Sequence, residues 1–222
     1  MIQYVFLIAF FIDAGINLFA VNKENKKLEY ISKPLLMPLL AIYFILGTSF
    51  LTSINWWIIL ALSCGCAGDI FLMLKDKFIH GMLAFFLGHI FYIISFFFLI
   101  TNILAFPLGG LLLFIPVILI LILTYPKFRN HLDDLKLPVH GYLVVIFMMH
   151  ISAVLLLAEF DLFSPCFFLI WIGSILFILS DALIAIDNFN EELEISHIRV
   201  IIMLTYILGQ YLIAQGIMLA ML

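Results

Sequence analysis

Residues 164–187 read SPCFFLIWIGSILFILSDALIAID and decide the class of fold. Asp181 and Asp187 are the only charged residues in this run. About 20 consecutive apolar residues are enough to cross the ~30 Å hydrocarbon core of a bilayer as a helix. Because the apolar residues are continuous and do not alternate with polar ones, the run predicts a transmembrane helix and not a strand of a membrane barrel.

The composition of the whole chain agrees with this prediction. Of the 222 residues, 66% are hydrophobic and 11% are charged, whereas a soluble domain is about half apolar and a quarter charged. This composition excludes a disordered chain, a nucleic-acid-binding protein and a disulfide-stapled secreted module. Cys64, Cys66 and Cys166 lie in apolar runs without a metal-binding spacing, so we expect buried thiols and no metal.

Apolar runs bounded by polar clusters predict an all-α membrane protein of eight helices, packed as one compact bundle and a single domain over residues 1–222. The expected bounds are 2–21, 34–51, 56–74, 81–101, 107–125, 139–158, 164–187 and 197–219. Short connections leave no room for a soluble domain. Pro34 follows Lys33 and is expected in the opening turn of the second helix, where proline is favoured.

The basic residues predict the orientation of this bundle. With eight spans, all ten Lys and Arg residues fall at the odd-numbered connections and none at the even-numbered ones. They are Lys23, Lys26, Lys27, Lys33, Lys75, Lys77, Lys127, Arg129, Lys136 and Arg199. The positive-inside rule then places these connections in the cytoplasm and both termini on the other side of the membrane. We expect this to be the cell (inner) membrane.

Three acids lie inside the predicted helices, away from their ends: Asp13, Asp69 and Asp181. A charged side chain at the bilayer centre costs roughly 2.5–3.5 kcal/mol on insertion scales, so each acid indicates a function or a structural hydrogen bond between helices. Asp69 lies six residues before Lys75, and Asp181 lies seven before Asn188. At a rise of ~1.5 Å per residue, both acids are about 10 Å from the cytoplasmic boundary.

Polar side chains of the other helices are expected at a similar depth. In the fourth helix, Gly81, Phe85, Gly88, His89 and Tyr92 share one face. The other candidate residues are Asn17, Lys33, Ser180, Tyr206 and Gln210. Together with the acids, they predict a water-accessible cavity in the cytoplasmic half of the bundle, where Lys33 is suited to hold a phosphate headgroup.

Five ordered motifs resemble those of the YhhN family of membrane proteins, which includes the lysoplasmalogenases. They are Lys33-Pro34-Leu35, Gly68-Asp69-x-x-Leu72, Gly81-x-x-x-Phe85-x-x-Gly88-His89-x-x-Tyr92, Gly173-x-x-x-Phe177-x-x-Ser180-Asp181 and Tyr206-x-x-x-Gln210. The resemblance runs over nearly the whole chain. It implies hydrolysis of the vinyl ether bond of lysoplasmalogens to a fatty aldehyde and glycerophosphocholine or glycerophosphoethanolamine. It implies no metal or organic cofactor, and as partners a lysophospholipid substrate and the surrounding membrane lipids.

The buried acids suit this chemistry. Hydrolysis of an enol ether begins when a proton is delivered to carbon, and water then traps the oxocarbenium ion. One carboxyl group can donate the proton while a second, ionised one stabilises the cation and activates water, as in glycosidases. Asp69 and Asp181 are the expected pair, and the sequence leaves open which is acid and which is base. Asn17, His89, Tyr92 and Gln210 are expected to position water or the headgroup.

Other functions could use the same acids. A proton-coupled transporter could use them with His89 as a proton relay, although the inverted repeats and broken spans of many transporters are not evident. Intramembrane aspartyl proteases carry Gly-x-Gly-Asp, whereas this chain has Gly65-Cys66-Ala67-Gly68-Asp69 and no Tyr-Asp pair. A purely structural bundle would not need acids at this depth.

Overall fold

The computed structural model describes residues 2–48, 56–190 and 192–221, and within them the chain is helical and contains no strand. The α-helices are α1 (Ile2–Asn22), α2 (Lys26–Gly47), α3 (Trp56–Met73), α4 (Phe78–Phe97), α5 (Ile115–Phe128), α6 (Lys136–Leu155), α7 (Pro165–Phe189) and α8 (Ile198–Ala220). In this part of the chain, eight helical segments are long and apolar enough to cross a membrane. The predicted fold class and number of spans are confirmed.

The fifth span is longer than predicted. It begins with a 3₁₀ segment, Leu108–Phe114, continues as α5 and ends with a second 3₁₀ turn, Arg129–His131. The span therefore extends to residue 131, beyond the predicted end at residue 125. The predicted end of the second span, over residues 49–51, lies outside the described residues.

The predicted start of α2 at Pro34 is wrong. The helix begins at Lys26, where the side chain of Asn25 accepts a hydrogen bond (3.3 Å) from the backbone N–H of Leu28. An asparagine in this position satisfies a backbone donor that the first turn of a helix leaves free. The polar residues 26–33 therefore form the first two turns of α2 and not a connection.

α2 continues through two prolines, Pro34 and Pro38. Because proline has no N–H, Pro38 cannot donate to the carbonyl oxygen of Pro34 four residues earlier. The thiol of Cys66 in α3 donates a hydrogen bond to that oxygen instead (3.4 Å). The longer helix also places Lys33 against the bundle, with 12% of its side chain exposed.

Glycines let α7 and α8 approach each other closely. A Cβ atom built on Gly173 would lie 2.9 Å from the carbonyl oxygen of Gly209, and one built on Gly209 would lie 3.0 Å from that of Gly173. Two turns further along α8, a Cβ on Gly216 would lie 2.7 Å from the carbonyl oxygen of Cys166. Small residues at helix contacts permit this close approach of backbones, so the three glycines set the distance between the helices.

The helix ends that carry the Lys and Arg residues meet at one end of the bundle. We call it the basic end: the connections α1–α2, α3–α4, α5–α6 and α7–α8 with the adjoining helix termini. There, Arg199 of α8 donates to both carboxylate oxygens of Glu29 in α2 (3.0 and 3.1 Å). The side chain of Asn190 donates to the carbonyl oxygen of Lys127 (2.6 Å). These contacts tie α2 to α8, and α5 to the residue that follows α7.

At the opposite end, Glu159 joins the segments that follow α4 and α6. Its Oε1 accepts hydrogen bonds from the backbone N–H groups of Asn102 (2.8 Å) and Thr101 (2.5 Å) and from the hydroxyl of Thr101 (2.8 Å). These hydrogen bonds stabilise the ionised form and therefore lower the pKa of the Glu159 carboxyl below its usual range. The bond from Asn102 has the largest effect.

The close approach of α7 and α8 predicts the effect of a single methyl group. We expect Gly173→Ala to lower the free energy of unfolding by ~1–3 kcal/mol, because the new Cβ meets the backbone of α8 and the helices must move apart. Thermal unfolding in detergent measures the effect. Gly15→Ala in α1 is the matched control, since nothing lies within 4 Å of its Cβ position. A Gly173→Ala protein that unfolds at or above the wild-type temperature would contradict this account.

The hydrogen bonds of Glu159 predict a dependence of stability on pH. Since its folded pKa lies below the unfolded value of about 4.3, its stabilising contribution is present above that pH and is lost as the pH falls through the folded pKa. We therefore expect the wild-type protein to unfold at a higher temperature than Glu159→Gln near neutral pH, and the difference to shrink in acid. Melting curves of both proteins across this range test the prediction, which is wrong if the difference does not change with pH.

Candidate functional site

A cavity of about 420 Å³ lies at the basic end. Its charged lining residues are Lys26, Lys33, Arg199, Glu29, Asp76 and Asp187. They come from α2, α7, α8 and the α3–α4 connection, so the cavity forms only when these elements meet. Glu29 and Arg199 are paired with each other. The cavity offers positive and negative groups side by side, which suits a ligand that carries both charges.

Lys33 connects this cavity with Asp69 of α3. Its Nζ lies 3.7 Å from Asp69 Oδ1. The hydroxyl of Tyr206 in α8 donates a hydrogen bond to Asp69 Oδ2 (2.8 Å). The Asp69 side chain is 3% exposed. Three helices therefore meet at one buried carboxylate, and each of its oxygens has a polar partner.

Tyr206 belongs to a row of hydrogen-bonded side chains that continues away from Asp69. Gln210, one turn later in α8, hydrogen-bonds Tyr206 and accepts a hydrogen bond from the hydroxyl of Tyr92 in α4. Gly65 leaves space for this row, since a Cβ there would lie 3.1 Å from Tyr206 Oη and 3.2 Å from Gln210 Nε2. The structure thus brings together four candidates, Asp69, Tyr206, Gln210 and Tyr92, which come from three of the motifs.

Asp181 of α7 is the centre of a second hydrogen-bonded group. The hydroxyl of Tyr142 in α6 donates to Asp181 Oδ2 (2.5 Å). The Nε2 atom of His89 in α4 lies 2.9 Å from Tyr142 Oη and 3.4 Å from Asp181 Oδ2. The side chain of His89 is 1% exposed and that of Asp181 is 10% exposed. Asp181 is therefore the more accessible of the two acids.

Tyr142 is the one residue of this group that is not among the candidates expected from the sequence. It lies on one face of α6 with Ile146, Met149 and Ala153, at offsets of 4, 7 and 11 residues, and these three are buried. The spacing shows that the face points inward. A tyrosine among apolar residues is common in membrane helices, however, so no local signal marks Tyr142 as the partner of an acid in the next helix.

Aromatic rings fill the space between the two groups. The ring of Phe177 in α7 lies 4.8 Å from the ring of His89 and 5.6 Å from that of Tyr206, between centroids. Phe85 of α4 packs edge-on against Phe177 and against Tyr206. A Cβ on Gly68 would lie 2.6 Å from the Phe85 ring, so this glycine lets Phe85 pack beside Asp69. The repeated glycines and phenylalanines of the motifs thus form one packed layer.

A narrow apolar pocket of about 50 Å³ reaches Asp181. Asp181 and Tyr142 are its lining residues with polar side-chain groups, and its other lining residues are hydrophobic. Three residues line both this pocket and the charged cavity: Leu72, Phe78 and Ile184. Asp69 adjoins the charged cavity through Lys33, which lines that cavity and lies 3.7 Å from Asp69 Oδ1. The charged cavity and the apolar pocket therefore adjoin each other, with Asp69 beside the first and Asp181 in the wall of the second.

Three other residues that are candidates from the sequence, Ser180, Asn17 and Asp13, belong to neither hydrogen-bonded group. Ser180 donates a hydrogen bond to the carbonyl oxygen of Ile202 (3.1 Å), which ties α7 to α8. Asn17 donates to the hydroxyl of Ser32 (2.9 Å), which ties α1 to α2. Asp13 is buried one turn before Asn17, and its Oδ2 has no hydrogen-bond partner among the described residues. These contacts stabilise the helix arrangement and do not extend to either acid of the site.

The polar groups of the site are suited to proton transfer. Each acid accepts a hydrogen bond from a tyrosine hydroxyl, and a lysine or a histidine lies within 4 Å. Within residues 2–48, 56–190 and 192–221, no group of three or more His, Cys, Asp or Glu side chains could hold a metal ion. The functional groups that this chain itself brings together are an acid with an ammonium partner and an acid with an imidazole partner.

Eight membrane-length helices around two buried acids define a multi-pass membrane protein with a polar site inside the bundle. The model of the YhhN family matches residues 28–217, which is most of the chain. The chain therefore belongs to the YhhN family, as its motifs indicate. No curated protein and no solved structure matches the chain.

The contacts of Asp69 predict the effect of removing one hydroxyl group. We expect Tyr206→Phe to lower the free energy of unfolding by ~1–3 kcal/mol, because the buried Asp69 Oδ2 loses its hydrogen bond. Thermal unfolding in detergent measures the loss. Tyr4→Phe is the control, since Tyr4 is 54% exposed. Equal losses in both variants would show that the bond to Asp69 does not stabilise the fold.

Proposed function

We propose that the chain hydrolyses the vinyl ether bond of lysoplasmalogens, releasing a fatty aldehyde and glycerophosphocholine or glycerophosphoethanolamine. The observation that carries the proposal is that a charged cavity and an apolar pocket share a wall, with Asp181 lining the pocket and Asp69 contacting Lys33 of the cavity. A lysoplasmalogen has matching parts in the same order. Its headgroup is charged, its reacting bond lies next to the glycerol, and its single chain is hydrocarbon.

The charges of the cavity support a zwitterionic headgroup. Lys26 and Lys33 can bind the phosphate, since ammonium groups bind phosphate oxygens as compact charges. Asp76 and Asp187 line the same cavity and can attract the amine of choline or ethanolamine. With the headgroup there and the chain in the apolar pocket, the vinyl ether bond lies where the two spaces meet, beside Asp181.

We assign the role of proton donor to Asp181. It lines the apolar pocket, where the alkenyl carbons would lie, and it is the more exposed of the two acids. Transfer of its proton to the carbon farther from the ether oxygen converts the double bond into an oxocarbenium ion. The electron pair of the double bond forms the new C–H bond, and Asp181 is left as a carboxylate that stabilises the cation.

We assign the role of base to Asp69. The ammonium group of Lys33 lies 3.7 Å from its Oδ1 and favours the ionised form that a base needs. Asp69 takes a proton from a water molecule, whose oxygen bonds to the cationic carbon and gives a hemiacetal. Asp69 then returns that proton to the glycerol oxygen, and Asp181 takes the proton of the hemiacetal hydroxyl. The C–O bond breaks, aldehyde and alcohol leave, and both acids regain their starting states.

The neighbouring side chains hold the two acids in place. Tyr142 and His89 restrict Asp181 from two other helices, and Tyr206 restricts Asp69. Gln210 holds Tyr206 in turn, and Tyr92 holds Gln210. Such positioning matters because a reacting group must be held close to the atom that it attacks.

We also propose that the basic end faces the cytoplasm and that the protein lies in the cell (inner) membrane. The support is the distribution of Lys and Arg, all ten of which lie in the odd-numbered connections or in the adjoining helix turns. A lysophospholipid of the cytoplasmic leaflet could then place its headgroup in the charged cavity without crossing the bilayer.

Substitution of the acids tests the proposal. Purified protein in mixed micelles is given a lysoplasmalogen, and release of fatty aldehyde is measured. We expect Asp69→Asn and Asp181→Asn each to lower kcat by about 10²–10⁴-fold, because each removes one partner of the proton transfer. Asp161→Asn, which alters an exposed acid at the opposite end, is the matched control and should keep the wild-type rate. Full activity in a folded Asp69→Asn or Asp181→Asn protein would contradict the paired mechanism.

The same protein in liposomes distinguishes the hydrolase from a proton-coupled transporter. Aldehyde release without a pH gradient is the result that we expect. Solute uptake driven by a pH gradient, with no cleavage of lysoplasmalogen, would show that the buried acids and His89 form a proton relay and that the hydrolase proposal is wrong.

A further inference from the structure

A groove of about 290 Å³ runs along the outside of the bundle between α4 and α6. On α4 it is lined by Ile79, Met82, Leu83 and Phe86, and on α6 by Pro138 and Gly141. Ile79 and Leu83 are 52% and 56% exposed. The groove therefore lies on the outer surface of α4 and α6, both of which are long enough to cross a membrane. An apolar ligand could enter it from the membrane, between the two helices.

The groove continues into the apolar pocket of the site. Met82 and Tyr142 line both of them. The hydroxyl of Tyr142 donates to Asp181, so one side chain contacts the outer groove, the inner pocket and the acid that we assign as proton donor. A ligand lying along the Tyr142 ring would extend directly from the groove to Asp181.

Gly141 leaves the α6 wall of the groove open. No atom lies within 4 Å of the position that its Cβ would occupy, whereas the Cβ positions of Gly173, Gly209 and Gly216 in α7 and α8 meet backbone atoms of the facing helix at 2.7–3.0 Å. Gly141 is thus not required for helix packing. Its φ is negative, so a larger residue is compatible with the backbone, and its side chain would project into the groove.

We propose that this groove binds the hydrocarbon chain of the substrate and admits it from the membrane, with Gly141 keeping the entrance open. The proposal rests on the proposed function, since it makes the ligand a single-chain lipid whose reacting bond lies beside Asp181. The inner pocket is narrow and apolar, which favours one chain over the two chains of an ordinary phospholipid. The groove therefore selects lyso lipids by shape, whereas the charged cavity recognises the headgroup.

A photoreactive lipid tests the groove without requiring turnover. The probe is a 1-O-alkyl-lysophosphocholine, which has no vinyl ether bond, with a diazirine in its chain. The full chain in nanodiscs is irradiated with it, and the labelled peptides are identified by mass spectrometry. We expect labels on residues 79–86 and 138–142, which an excess of unlabelled alkyl-lysophosphocholine removes. We expect Gly141→Leu to lower this labelling about tenfold or more, because its side chain fills the space that the lipid chain needs.

Gly15→Leu is the matched control. Gly15 is also a helical glycine with nothing within 4 Å of its Cβ position, and it lies on α1, away from the groove. Its labelling should equal that of the wild type. Labelling of Gly141→Leu at the wild-type level, or labels spread evenly over all exposed helix faces, would overturn the proposal. So would a change in oligomeric mass of Gly141→Leu without a change in labelling, which would mean that a second copy of the chain occupies the groove.

Turnover of a lysoplasmalogen separates this proposal from the proposed function. If both hold, Gly141→Leu raises KM more for long-chain than for short-chain substrates, and Gly15→Leu changes neither. If the wild type binds the probe in the groove but releases no aldehyde, the groove proposal stands and the hydrolase proposal fails. If the wild type and Gly141→Leu release aldehyde equally well at every chain length, the hydrolase proposal stands and the groove proposal fails.

Discussion

The contact of Asp69 with Lys33 and Tyr206 joins α3, α2 and α8 at a point that is almost closed to solvent. Removing one partner of a buried charge pair commonly costs 3–5 kcal/mol, so these three helices cannot separate without a large loss of stability. The contact depends on the early start of α2 at Lys26, which makes Lys33 part of the helix. A helix that began at Pro34 would leave Lys33 in a connection, without a fixed position relative to Asp69.

The other acid imposes a similar constraint on the other helices. Asp181 needs Tyr142 of α6 and His89 of α4, and α7 also packs against α8 through Gly173 and Gly209. α8 therefore approaches α7 on one side and carries the partner of Asp69 on another. This arrangement places the two acids in one site, between a charged cavity and an apolar pocket. The groove between α4 and α6 extends that pocket to the membrane.

The number of helices could be predicted from the sequence because each crossing needs about 20 apolar residues and charged residues mark the ends. Asp69 and Asp181 could be recognised because an acid in an apolar run is unusual. The start of α2 could not, since its first two turns are polar and look like a connection. Tyr142 could not either, because its importance depends on which helices are neighbours. Hydropathy locates the apolar part of each helix and says nothing about the helices that pack against it.

In the proposed mechanism, Asp181 protonates a carbon of the vinyl ether. The most direct test is hydrolysis of a lysoplasmalogen by the purified protein in D₂O, with the aldehyde reduced or trapped as it forms. We expect one deuterium on the carbon next to the aldehyde carbon, because the proton that Asp181 delivers comes from solvent. An aldehyde without deuterium at that carbon, or no aldehyde at all, would contradict the mechanism.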